Sequence, residues 1–404
     1  MKKVERHIIK WNKQMDELCF KSKNLYNYVN YLIRQEYVKN KKMLDEYKLT
    51  SCLSKEKQID YCSLPISSSQ QIVKLVFWNW RSFFRSIKDW KKYPNKYKDK
   101  PNLPGYKDKT KGRNVVIFTN NRGQAQLKNG FIYLTPRLKL SPIKTKVKNI
   151  RQVRIVPQQS CFVIEVVYEK GVKKVRGLKK KLYVGLDMGI NNLITLVTNS
   201  AKITPMLVNG KIIKSMNQFY NKEMARLRSF VREKSSNRIR TFAFKNSKKV
   251  NDYLHKVSRL VINYCIKNHI GNIVIGKNKE WKQDINIGRV NNQKFVSIPH
   301  ARLIQMIQYK AEENGINVIL QEESYTSKCD ALAKEEICKH ENYIGKRVHR
   351  GLFKSSIGKY INADINGALN ILRKVIGDGF IKPLLNKGIA NMPIRMLNPY
   401  EYAL

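Results

Sequence analysis

One acidic residue inside an apolar strand constrains this chain more than any other feature. In KLYVGLDMGINNLITLVTNS (181–200) an apolar run carries Asp187 near its middle, turns between Gly189 and Asn192, and resumes as LITLVTN. A carboxylate in such a strand is costly to bury unless something compensates its charge. No Lys or Arg stands beside Asp187. Either a divalent metal ion compensates it, or the residue lies at the edge of a capped hairpin.

The charge of the whole chain narrows the choice. It has 79 Lys and Arg against 30 Asp and Glu, a formal +49, spread through every segment rather than gathered in a tail. Repulsion on that scale works against a compact chain unless a polyanion neutralises it, and nucleic acid is the natural partner. No run of 18 apolar residues exists, so no membrane span is expected. The seven cysteines are odd in number and scattered, which reads as reduced thiols of a cytoplasmic protein. The N-terminus, MKKVERHIIKW, lacks the apolar core of a signal peptide.

Taken in order, residues 2–11 alternate as a strand. Residues 15–38 carry a helical apolar stripe (Met15, Leu18, Leu25, Val29, Leu32, Ile33), and LPISSSQQ (64–71) opens a second helix striped by Ile72, Leu75, Val76, Trp80, Phe83 and Phe84. A loop rich in Lys, Pro, Asn and Gly (91–114) follows, then short strand-like runs at 115–119, 130–136, 150–157 and 161–170. These runs, with the N-terminal strand, predict a small β-barrel interrupted by helices. A basic linker leads to the Asp187 hairpin, and the main boundary is expected near 175–180. Beyond it lie a strand-like segment at 203–213, basic helices at about 215–235 and 245–269, and a strand at 272–276. A polar basic loop (277–296), a helix at 301–315, a strand at 317–325 and a helix opened by Asp364 complete the order. That order, β-β-β-α-β-α-β-α, is the order of a ribonuclease H-like domain.

Such a fold gathers three acids: Asp187, Asp364 and one more. Its usual third position is the end of the fourth strand, where this chain has Gly276. The next strand ends in Glu322 and Glu323, and neighbouring strands lie roughly 4.8 Å apart. A glutamate can span that gap into the space a glycine leaves. Side chains alternate along a strand, so one of the pair faces inward; Glu323 is preferred and Glu322 is the fallback. Phosphodiester hydrolysis at such a site uses two divalent cations roughly 3.5–4 Å apart, and carboxylates suit Mg²⁺, with Mn²⁺ as substitute.

With these residues in view, the chain resembles the TnpB-type (OrfB) transposon-encoded RNA-guided endonucleases, relatives of type V CRISPR effectors. The motifs are GLDMGINNL (185–193), YTSKC (325–329) and NADINGALNIL (362–372), with weaker likeness in SKNLYNYVNYLIRQ (22–35) and PNLPGYKDK (101–109). The resemblance implies a multidomain α+β fold. A wedge β-barrel (1–14 and 98–175) holds an inserted helical recognition domain (15–97); a basic linker (176–182) leads into a RuvC-like nuclease domain (181–404). It implies a guide (omega) RNA and double-stranded target DNA with an adjacent motif as partners. Catalysis and Mg²⁺ binding would fall to Asp187, Asp364 and, as in one branch of the family, Glu323. The family's four-cysteine zinc ribbon is reduced here to Cys329 and Cys338 at about 326–361, with His340 and His349 nearby; a closed site needs four placed ligands, so structural zinc is not expected. Lys107, Lys109, Arg113, Trp78, Trp80 and Trp90 are candidate nucleic-acid contacts, and a cytoplasmic, nucleoid-associated location would follow. Two alternatives stay open: a nuclease-inactive guided DNA-binding repressor, and a compact type V CRISPR effector.

Overall fold

The computed structural model describes all residues except 1, 121–122, 136–137, 173–174, 232–234, 279–287, 289–291, 294–295, 389–392 and 400–404, so most of the 277–296 loop lies outside the described residues. The chain divides into two compact units, Met1–Lys170 and Gly171–Leu404.

In the first unit, β1 (Lys2–Lys10) is followed by helices α1 (Lys13–Asn40), α2 (Glu46–Lys55), α3 (Ile59–Cys62) and α4 (Ile66–Lys92). Strands β2 (Val116–Thr119), β3 (Ala125–Lys128), β4 (Phe131–Leu134), β5 (Ile143–Lys144), β6 (Gln152–Pro157) and β7 (Cys161–Glu169) come after them. Asn12 starts α1 by accepting a hydrogen bond from the Met15 N–H at 3.1 Å. The chain leaves α1 through Lys41 in the left-handed region. The stripes of the two long helices, Leu25, Val29 and Ile33 against Ile72, Val76 and Trp80, are fully buried and share a core with Val116, Phe118, Ile155 and Ile164 of the sheet. Each such side chain contributes about 1.5–3 kcal/mol when withdrawn from water.

The strands form two antiparallel sheets, β1-β7-β6-β2 and β3-β4-β5, which contribute to one core. Among the described residues these strands pair as two sheets, without a closed ring that would make the expected barrel. The helices α2 and α3 were not expected; their short segments bury little besides Leu53 and Tyr61 and leave no long stripe to read.

The second unit is built on β8 (Lys179–Asp187), β9 (Asn192–Thr198), β10 (Met206–Asn209), β11 (Ile270–Gly276) and β12 (Asn317–Gln321). The sheet runs β12-β11-β8-β9-β10 and ends on β16 (Ile394–Met396). β8 pairs antiparallel with β9 and parallel with β11, which pairs parallel with β12. The helices are α5 (Lys211–Ser229), α6 (Asn237–Lys267), α7 (His300–Asn314), α8 (Ala363–Ile376) and α9 (Ile381–Asn386). β11 is buried along its whole length, as a strand covered on both faces must be. Val184, Leu186, Ile273 and Ile275 face the α6 and α7 side; Val274 packs with Ile365, Leu369 and Ile371 of α8 on the other. By the same alternation Gly185, Asp187 and Gly276 fall on the α8 face.

Three expected boundaries shift. β8 begins at Lys179, inside the segment 176–182 expected to be linker, because Lys179 already pairs with Ile270 of β11. The strand expected over 203–213 stops at Asn209, whose side chain accepts from the Lys211 N–H at 2.9 Å and turns the chain into α5. The second of the long basic helices begins at Asn237 rather than about 245, capped by Ser236.

Candidate active site

Close packing of α8 on β8 fixes the first acid. A Cβ at Gly185 would meet the Ala368 carbonyl oxygen at 2.6 Å, and a Cβ at Gly367 would meet Asp187 Oδ2 at 2.7 Å. A glycine on each element therefore lets helix and strand approach closely enough for Asp187 to lie against α8. Its surroundings are unfavourable for an anion. Burial raises its carboxyl well above the usual carboxylate range, the negative charges of Asp364 and Glu323 raise it further, and Arg347 opposes them.

Asp364 stands in the first turn of α8, where the helix dipole favours an acid. Asn362 caps the helix by accepting from the Asp364 N–H at 2.9 Å. Asp364 Oδ2 accepts from Asn192 Nδ2 at 2.7 Å, and Arg347 Nη2 is 3.8 Å from Oδ1. Asn192 belongs to the GINN turn after β8, so the turn itself carries a residue of the site. Arg347 lies on β13 (Lys346–His349), which pairs with β14 (Leu352–Lys354), itself paired with β15 (Tyr360–Asn362). Nothing in the sequence marked Arg347; its position depends on that small sheet, which has no periodic apolar pattern.

The two glutamates after β12 diverge. Glu323 donates its N–H to Asn278 Oδ1 at 3.0 Å, and its carbonyl accepts from Thr326 Oγ1 at 2.8 Å. Its Oε2 lies over Gly276, where a Cβ would collide with it and with Ile371 Cδ1. Burial, then the neighbouring charge of Glu322, pushes its carboxyl up to about 7, against the pull of Lys374. Glu322 faces outward. Its side chain is 50% exposed and pairs with Lys374 Nζ at 2.8 Å. Against the little burial that would raise it, Lys374 and Ser324 hold its carboxyl below the ordinary range.

The TSKC and NADINGALN motifs work as one device. Asn370 Nδ2 donates to the carbonyls of Thr326 (2.8 Å) and Cys329 (2.7 Å), and Asn366 Nδ2 donates to Cys329 at 2.8 Å while its Oδ1 accepts from the Ala331 N–H at 3.0 Å. These bonds tie the turn beyond Glu323 to the helix that carries Asp364.

Within the 326–361 insert, a carboxylate sits at the centre. Fully buried Asp330 accepts from the N–H groups of Leu332, Ala333 and Ser356 and from the hydroxyls of Ser355 and Ser356, at 2.7–3.2 Å. Glu335 accepts from the N–H groups of Asp330 (2.6 Å) and Ile344 (3.0 Å). The thiols and imidazoles do not converge. Cys329 Sγ lies 3.7 Å from the Cys338 carbonyl, Cys338 Sγ is 3.3 Å from His340 Nε2, and that nitrogen is also 2.8 Å from the Glu336 carbonyl. His349 is exposed on β13.

Among the described residues no three His, Cys, Asp or Glu side chains are arranged to hold a metal ion as they stand, and this includes the three acids. Asp364 is turned toward Asn192 and Arg347. In kind, the donors fit a hard divalent cation: every donor is a carboxylate oxygen, and Asp187 and Glu323 sit where burial and like charge disfavour a bare anion.

In the first unit the expected nucleic-acid contacts separate. Trp80 is fully buried, donates to Asn30 Oδ1 at 2.8 Å and packs edge-on against Tyr37, so it is a core residue and the expectation for it is corrected. Arg113 is likewise corrected. Its guanidinium is spent on a two-pronged pair with Asp16 at 2.8 and 2.6 Å and on the carbonyls of Thr110 and Gly112. Lys107 is half-buried with its ammonium over the Tyr26 ring, and burial lowers its pKa. Trp78 is exposed beneath Lys74, Trp90 is half-buried near Lys100, and Lys109 is exposed. No helix among the described residues is long and apolar enough to cross a membrane.

The likeness to known proteins follows the same lines as this geometry. Residues 165–282 match the OrfB IS605 family, described as "Probable transposase", and residues 300–371 match the TNB domain of Cas12f1-like proteins. The chain has a mixed α+β multidomain fold. It is similar to Cas12f1 from the Cas12f1–sgRNA–target DNA complex (TM-score 0.56, 14% identity, 89% of this chain and 81% of that one). It is also similar to the mini-RNA-guided endonuclease CRISPR-Cas phi3 (TM-score 0.50, 11% identity, 92% of each chain). In sequence, the chain is 24% identical over 412 residues to TnpB-like protein ORF457 of Acidianus two-tailed virus, covering 90% of this chain and 84% of that protein. The chain is thus similar to TnpB-type proteins in sequence and to the type V effectors in fold.

Proposed function

We propose that the protein is a transposon-encoded RNA-guided DNA endonuclease, and that its second unit is a ribonuclease H-like (RuvC) domain cleaving DNA by metal-dependent phosphodiester hydrolysis. The observation that carries this is the Glu323 carboxylate above Gly276, on the same face as Asp187 and close enough to Asp187 to raise its pKa. The strand order β10-β9-β8-β11-β12, with Asp187 ending the central strand, supports the ribonuclease H-like reading. So do the similar proteins, one of them an RNA-guided endonuclease and one held in a complex with guide RNA and target DNA.

Asp187, Glu323 and Asp364 would hold Mg²⁺ or Mn²⁺, which when bound supplies a Lewis acid and an activated water. Asn192 orients Asp364 through the 2.7 Å bond to Oδ2. Arg347 keeps a positive charge beside the carboxylates, where an incoming phosphodiester would meet it. Asn366 and Asn370 keep the Glu323 turn in register with α8. The insert is proposed to fold on Asp330 and Glu335 without zinc. A guide RNA and a target duplex with an adjacent motif complete the reading, which suits a chain of formal charge +49.

The test is a cleavage assay on the purified protein with its co-purifying RNA. Asp187→Ala, Glu323→Ala and Asp364→Ala should each abolish cutting while guided binding persists, and Glu322→Ala should still cut. Full cleavage by Glu323→Ala would reverse the roles of the two glutamates, and cleavage surviving loss of both would end the reading. Binding without cutting by the unaltered protein in Mg²⁺ and Mn²⁺ would leave the nuclease-inactive alternative.

A further inference from the structure

A broad recess of the second unit lies away from the carboxylates. It is a cleft of about 910 Å³ whose lining includes Lys179, Lys181, Lys202, Lys382 and Lys387. These lysines come from three elements: the start of β8, the turn after β9, and α9 with the residue that ends it. The turn is fixed from within. Asn199 Oδ1 accepts from the Tyr183 N–H at 2.9 Å, and its Nδ2 donates to the Lys181 carbonyl at 3.0 Å. Thus the backbones bearing Lys181 and Lys202 are joined at one rim. All five lysines are exposed, and among the described residues no acid and no aromatic side chain lines the cleft.

Five positive charges gathered around a concavity with no acid to offset them sum to a positive local potential that draws in an anion. Without an aromatic ring there is nothing on which a base could stack. A cleft of this kind attracts phosphates and reads no sequence. Along β8, Lys179 stands eight steps and Lys181 six steps from Asp187, spans of about 26 and 20 Å at roughly 3.3 Å per residue. The phosphates held here are therefore not those being cut.

We infer that this lysine cleft is a second, non-catalytic site for a phosphodiester backbone, anchoring nucleic acid at the end of β8 opposite Asp187. The inference shares with the nuclease reading only the polyanionic partner. It is tested by binding in the absence of divalent metal, so the outcome is independent of whether the carboxylates cut.

The full-length protein carrying Lys181→Gln, Lys202→Gln, Lys382→Gln and Lys387→Gln is compared with a control carrying Lys39→Gln, Lys42→Gln, Lys48→Gln and Lys55→Gln, which removes the same charge from exposed positions of the first unit. Fluorescence anisotropy follows a hairpin RNA and a duplex DNA of equal length across a salt series. For whichever nucleic acid occupies the cleft, the slope of log affinity against log salt should become shallower in the cleft variant, by roughly 0.7–0.9 for each phosphate no longer neutralised. The slope for the other probe, and both slopes of the control, should change less. RNA and DNA are told apart by which slope responds. Equal changes in cleft variant and control, or an unchanged cleft variant with an unaltered melting curve, would overturn the inference.

Discussion

The carboxylate of Glu323 fills the space that any side chain at position 276 would need. A glutamate just beyond the end of β12 thus reaches across to the last residue of β11. Gly276→Ala should therefore drive Glu323 and Ile371 apart. A displacement of about 1 Å at a catalytic group costs on the order of 10²-fold in rate, and overpacking a buried strand costs about 1–3 kcal/mol. The coupling is checked by a double-mutant cycle. Gly276→Ala should lower cleavage in the unaltered protein, and its stability loss should be smaller when Glu323→Ala has already removed one of the two colliding side chains, Ile371 remaining the other.

Gly367→Ala separates function from stability. The new methyl would press on Asp187 Oδ2, 2.7 Å away, and nothing else within 4 Å besides the Asp187 Cγ at 3.4 Å. The end of an aspartate can move, while alanine within a helix is favoured over glycine by about 1 kcal/mol. Melting temperature should hold or rise, and cleavage should fall on the order of 10²-fold. A variant that melts earlier and still cuts would contradict the placement of Asp187 against α8.

The sheet of the second unit was legible because its strands are apolar runs bounded by turns, and IVIG is apolar on both faces as a strand covered on both sides must be. Asp187 stood out as the one charge in such a run. The vacancy at Gly276 and the reach of Glu323 followed from strand spacing. Arg347 did not, since its contact with Asp364 depends on the three short strands of the insert, too short and too polar to show a period. Trp80 and Arg113 misled for a common reason. Composition registers an aromatic or a cation but not its partner, and here the partners, Asn30 and Asp16, lie 50 and 97 residues away in sequence.

Asp330 should matter more for folding than any cysteine in the insert. Its removal leaves five donors without their acceptor, among them the buried Leu332 N–H and Ser355 hydroxyl, and unsatisfied buried groups cost about 1–3 kcal/mol each, so Asp330→Ala should cost about 3 kcal/mol, read as a lowered melting temperature or loss of soluble protein. Asn370→Ala, which frees the Thr326 and Cys329 carbonyls, should cost about 2 kcal/mol on the same basis. Cys338→Ser should be close to neutral. A strong chelator should leave the unfolding curve unchanged at a pH where it strips zinc, and a chelator-induced fall in melting temperature would refute the zinc-free insert.

The pH dependence of stability reports on the carboxylates directly. Glu323 is raised from 4.5 to about 7 in the folded protein, by burial first and then by Glu322. The native state thus holds this proton more tightly than the unfolded chain does. The stability that proton confers is fully present below about pH 4.5 and is lost as pH rises to about 7. The shift corresponds to a loss on the order of 3 kcal/mol. Asp187, raised for the same reason of burial with Asp364 and Glu323 adding to it, acts in the same direction. Without divalent metal, melting temperature should therefore fall across that window, and the fall should be shallower in Glu323→Gln. A divalent cation binds the deprotonated form, so Mn²⁺ should raise the melting temperature more at pH 8 than at pH 6. Parallel pH profiles for the unaltered protein and Glu323→Gln, with or without Mn²⁺, would show that Glu323 is neither buried beside Asp187 nor a ligand.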